Sequence, residues 1–262
     1  MYDPPAYLWA IVIAGVVAIP VATCVVLYAG AERAGLGRLR AALLAAAAAT
    51  VLGGLFTASA VLAGRGWYHS PLGRGVPWMP VMVLGSLAGW LALSRIPVIS
   101  RALTAPGMAS RLELPHSFRV AGVGFLLTMA LGHLPALFAL PAGLGDIATG
   151  LATPLVARKV ARGTGRRAAL WLNAFGLTDL ILALTLGALT GYQLIDVAPS
   201  AAAITELPLA LIPTAEVPLL LALHITSGLA LRRAPRAPQP APGTVIADAT
   251  PPAVQSPASS AR

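Results

Sequence analysis

From Tyr7 to Tyr28 the chain carries no charged residue, and runs of this kind recur along its length. A hydrocarbon core about 30 Å thick takes roughly 20 apolar residues of helix to cross. Six further stretches meet or approach that length: Leu39 to Ala63, Val76 to Leu93, Phe118 to Leu140, Ala142 to Ala157, Ala168 to Thr190 and Glu206 to Leu231. The 262 residues are 57% hydrophobic and 10% charged, whereas a soluble domain is about 25% charged. Too little polar surface exists to coat a water-facing globule. A soluble enzyme, a DNA-binding domain and a disordered protein are thereby excluded, and the single Cys24 excludes an internal disulfide. The first run is too long for a cleavable signal and lacks a basic flank, so it reads as an uncleaved span.

Orientation follows from the loops. With the N-terminus outside and seven alternating spans, sixteen of the eighteen basic residues fall on the cytoplasmic side, leaving only Arg65 and Arg74 outside. Tyr and Trp residues fall near the expected span ends, where an amphipathic ring prefers the headgroup level. The predicted fold is therefore an all-α polytopic bundle of about seven transmembrane helices over residues 1–231, with a cytoplasmic C-terminus. Residues 232–262, rich in Pro and Ala, read as a disordered cytoplasmic tail. The same map accounts for the net charge of +9: topogenesis alone explains the basic loops, anionic lipid headgroups at Arg158 to Arg167 are the alternative reading, and nucleic acid is not required.

Polar residues inside the spans carry the functional signal. Asp146, Asp179 and Glu216 each cost about 3 kcal/mol to insert near the bilayer centre, so they are expected to face the bundle interior. At 1.5 Å per residue, Asp146 falls roughly 6–8 Å below the outer end of the fifth helix. Asp179 and Glu216 fall near the midplane, with His133 in the outer third of the fourth helix and Glu206 at the mouth. The expectation is one acidic cavity reached from outside, holding Asp146, Asp179, Glu216 and His133. No basic residue is expected at that depth. Arg119, at the inner end of the fourth helix, is expected to snorkel, His224 to pack, and Asn173 to bond across helices. Acids without a counter-charge suit proton exchange or cation binding.

Prolines 208, 213 and 218 predict a kinked or unwound last span, and the pairs Gly85/Gly89 and Gly54/Ala58 predict close helix packing. His69, His116, His133 and His224 lie at different expected depths, so no metal site and no other cofactor is expected. A retinal protein is excluded because the only lysine, Lys159, lies in a loop. Gly143-Leu144-Gly145-Asp146 is similar to the GxGD element of intramembrane aspartyl proteases, with Asp179 as second aspartate, but the order of the two is reversed relative to that family.

The segments Phe118 to Gly122 and Leu134-Pro135-Ala136-Leu137-Phe138-Ala139-Leu140-Pro141-Ala142-Gly143-Leu144-Gly145-Asp146 resemble a group of bacterial polytopic membrane proteins without an assigned activity. That resemblance implies a bacterial inner-membrane location and no chemistry. Its prolines and glycines are expected to form a tight outer turn beside Asp146. The functional expectation is a non-enzymatic carrier or binder of an unidentified small solute or lipid, linked to protons through the buried acids. A scaffold or accessory subunit without a solute site is the first alternative, and a GxGD-like hydrolase the second.

Overall fold

The computed structural model of the chain describes residues 3–69 and 75–233, and every regular element among them is helical. Almost all of the expected tail lies outside these residues, as do Tyr2 and Arg74. Two long helices, α1 (Ala6–Arg33) and α2 (Arg38–Gly64), lead into α3 (Trp78–Leu93). The chain then bends by 82° into α4 (Pro97–Thr104) and makes a single helical turn, α5 (Met108–Arg111). A 3-10 segment, Leu114–Gly122, passes directly into α6 (Val123–Ala130). Helices α7 (Ala136–Ala161) and α8 (Arg166–Gly191) follow, then a short 3-10 turn at Ala201–Thr205, a π-helical turn at Ile212–Glu216 and α9 (Val217–Arg233).

Five of these stretches are long and apolar enough to cross a membrane: α1, α2, α7, α8 and Ile212–Arg232. The bent pair α3 and α4 makes a sixth if it counts as one span. The predicted fourth span, Phe118 to Leu140, is not one helix. The chain reverses at Gly132, whose φ of +81° suits a residue without a Cβ. Pro135 then stands extended as the N-cap of α7. The predicted fifth span accordingly begins at Ala136 and absorbs the end of the fourth. Pro141 sits within α7, where it forgoes one hydrogen bond without ending the helix.

The last span forms the centre of the bundle: every residue from Pro208 to His224 is buried. Its expected irregularity is present in the π-helical turn, and regular helix resumes at Val217 with Pro218 in the first turn, where a missing N–H costs least. Side chains from other helices serve this irregular backbone. Ser86 Oγ donates to the Thr214 carbonyl at 3.4 Å, and the Thr214 and Ser59 hydroxyls lie 2.5 Å apart, with the Tyr68 hydroxyl 3.0 Å from Ser59. A polar knot of this kind is what non-helical backbone at such a depth demands.

The expected small-residue pairs do not pack. A methyl group added at Gly54, Gly85 or Gly89 would meet only open space, and Ala58 is exposed. The close approaches occur instead at glycines around the buried acids.

Candidate functional site

Three residues per turn keep positions i and i+3 in line along a 3-10 helix. Glu113, His116, Arg119 and Gly122 therefore share one edge of the Leu114–Gly122 segment and its N-cap, and all four are buried. An α-helix would have carried them steadily around its surface. This edge lies against α7, α8 and α9.

Arg119 is the hub. Its Nε donates to Asp146 Oδ1 of α7 at 2.7 Å, its Nη2 donates to Asp179 Oδ2 of α8, and its Nη1 lies 3.2 Å from His224 Nε2 of α9. A guanidinium has no acceptor atom, so His224 Nε2 accepts and the ring proton sits on Nδ1, which donates to Asn173 Oδ1 at 3.0 Å. The Asn173 amide donates onward to Glu113 Oε1 at 2.6 Å and to its own helix at the Ala169 carbonyl. Ser227 Oγ also donates to Glu113 Oε1. One continuous network thus joins four helical segments.

Small residues make room for it. A Cβ on Gly145 would strike the Asp179 carboxylate, one on Gly122 would strike Asp146, and one on Gly176 would strike the His224 ring. The expected outer turn around Gly143 and Gly145 is therefore corrected: these glycines are helical, and their role is close approach between segments.

A cavity of about 690 Å³ adjoins the network. Its walls are largely apolar and include Met79, Val83 and Leu84 of α3 and Leu180, Leu184 and Ala188 of α8. Tyr68 and Tyr192 line the end away from the arginine-rich connections, and Asp146 is the one acid among the described residues that line it. Leu84 lines the cavity while 66% exposed, so the space also opens sideways between α3 and α8.

Of the residues singled out in the sequence, Asp146 and Asp179 meet on Arg119. Asp146 lies ten residues into α7, about 15 Å from its start and deeper than expected. Glu216 ends the π-helical turn, buried and within electrostatic reach of Asp146 and Arg119. Glu206 hydrogen-bonds His69, itself on the cavity rim, at 3.2 Å. His133 stands on the exposed turn between α6 and α7 and does not join the cavity.

The family described as a domain of unknown function (DUF8737) matches residues 76–232, more than half of the chain. The chain belongs to that family. No curated protein and no solved structure matches it. The DUF8737 region contains the whole network, whereas α1 and α2 precede it.

Three expectations about this region are corrected. Arg119 does not snorkel; it is 1% exposed and supplies the counter-charge that the acids were expected to lack. The histidines are not all held apart by depth: His116 and His224 stack with ring centroids 3.6 Å apart. Glu113, absent from the expected acids, is fully buried. The i+3 spacing of Glu113, His116 and Arg119 is the signal that could have revealed them, given a 3-10 reading of a stretch opened by Pro115.

Proposed function

We propose that this DUF8737 protein is a non-enzymatic, multi-pass protein of the bacterial inner membrane that binds and carries a small amphipathic solute or lipid. The apolar body of the solute occupies the cavity between α3 and α8, and its hydrogen-bond-donating or cationic head meets Asp146. The observation that carries this reading is the 690 Å³ largely apolar cavity with a single carboxylate, Asp146, among its described lining residues, that carboxylate being held by the buried Arg119. One guanidinium faces Asp146, Asp179 and the nearby Glu216, so carboxyl groups are in excess and a donating head is favoured over an anionic one. Protons on these acids exchange with the head during carriage, as buried acids do in coupled transporters. The sideways opening supports entry from the lipid, and the basic loops at the opposite end support an outward-facing cavity. The aspartyl-hydrolase alternative needs two carboxyls sharing one proton, and a guanidinium bonded to both tells against it.

A dansyl-labelled lipophilic amine tests the reading. It should bind the purified full chain saturably, and Asp146→Asn should weaken binding about tenfold, or ~1.4 kcal/mol. In vesicles, its uptake should depend on pH and be lost when Asp179 or Glu216 is made neutral. Non-saturable binding unaffected by Asp146→Asn rejects the proposal.

A further inference from the structure

Beyond the cavity, on the far side of Arg119, three ligand side chains gather that the solute reading does not use. Glu113, His116 and His224 each bring one donor atom within 4.8 Å of the others, and all three residues have no exposed surface. Two of them are unsatisfied. Both ring nitrogens of His116 and the Oε2 of Glu113 are buried without a hydrogen-bond partner. A buried polar atom without a partner is costly, and here the orphaned atoms are imidazole and carboxylate donors side by side.

We propose that Glu113, His116 and His224 form a binding site for a divalent first-row transition-metal ion. Two imidazoles and a carboxylate suit Zn2+ and its neighbours in the series and leave a further coordination position open. Neighbouring hydrogen bonds orient the ligand side chains. Asn173 holds the His224 ring through Nδ1–H, so that Nε2 carries the lone pair; Nε2 now accepts from Arg119 Nη1 at 3.2 Å, and the ion takes that lone pair over while Arg119 keeps Asp146 and Asp179. Asn173 and Ser227 together fix Oε1 of Glu113 so that Oε2 stays free. Charge points the same way: Glu113 receives only neutral donors, while Arg119 is already engaged by Asp146 and Asp179. To bind the ion, His116 turns off the face of His224, and no hydrogen bond of its own opposes that turn.

The inference stands apart from the solute reading, and Asp146→Asn is expected to leave metal binding in place. The experiment uses the untagged full chain in detergent, stripped with chelator, loaded with Zn2+ and passed through gel filtration. About one Zn2+ per chain should be retained. His116→Gln should lose it while melting near the wild-type temperature, and Asn173→Ala should weaken binding by about 10–100-fold. Alanine at His69 and His133 should change nothing. Should His116→Gln fail to fold, Co2+ loaded into the wild type decides the matter: visible absorption of low-coordinate cobalt, bleached by Zn2+, supports the site. Failure of the wild type to retain either ion, or full retention by a folded His116→Gln protein, overturns it.

Discussion

Arg119 and Asp146 meet at 2.7 Å, 27 residues apart in sequence, with no exposed surface on the arginine side chain. A guanidinium in that position has no water to return to, so its stability depends on the two aspartates, and theirs on it. Truncating one partner of a buried ion pair strands the other, at about 3–5 kcal/mol. Arg119→Met should lower the thermal unfolding temperature in detergent by that free energy, and Arg119→Lys should recover only part. A point ammonium cannot span Asp146, Asp179 and His224 as a planar fork does. Equal melting of Met and wild-type proteins would remove Arg119 from its role as counter-ion.

The two aspartates share that one cation, and this predicts non-additivity. Asp146→Asn alone leaves Asp179 on Arg119 and relieves a like-charge contact, and Asp179→Asn is the mirror case. The double variant strands the guanidinium. Its loss of stability should exceed the sum of the single losses by about 1–3 kcal/mol, a coupling that a double-mutant cycle reads directly. Additive losses would mean that the two acids are held independently.

Much of the architecture is legible in composition: apolar runs mark α1, α2, α8 and the last span, and Pro208, Pro213 and Pro218 announce the π-helical turn. What escapes is local geometry. Reading Phe118 to Leu140 as one α-helix sends Arg119 to a membrane surface and separates His116 from His224. The observed 3-10 segment, opened by Pro115, turns Glu113, His116 and Arg119 into one interior edge. Start positions matter equally. With α7 beginning at Ala136, Asp146 descends to the level of Asp179. A residue's depth is a count from its helix end, so a misplaced end relocates every polar side chain after it. The family match adds membership and leaves the chemistry to these side chains.

Gly145 supplies a test of the close approach between α7 and α8. On helix propensity alone Gly→Ala is favourable by about 1 kcal/mol. At Gly145 the added methyl collides with the Asp179 carboxylate, whereas at Gly85 it meets nothing. Gly145→Ala should therefore destabilise by about 1–3 kcal/mol, the cost of overpacking, while Gly85→Ala should be neutral or stabilising. Thermal melts of the two variants side by side check the opposite signs. Matching shifts would show that propensity, and not the buried acid, governs glycine in this bundle.

Filling the cavity separates solute binding from stability. Ala183 of α8 lines the large cavity, and a tryptophan there occupies space that is otherwise open to a ligand. Ala183→Trp should abolish saturable binding of the dansyl amine while moving the melting temperature little, since the ring enters a void and displaces no packed atoms. Ala47 of α2 offers the control. It lines a smaller, almost wholly apolar pocket of about 190 Å³ beside Trp90, distinct from the first and with no acid among its described lining residues. Ala47→Trp should leave amine binding intact. Fluorescence titration of both variants reads the outcome: if Ala47→Trp also blocks the amine, the probe binds to apolar surface in general, and Asp146 is not what selects it.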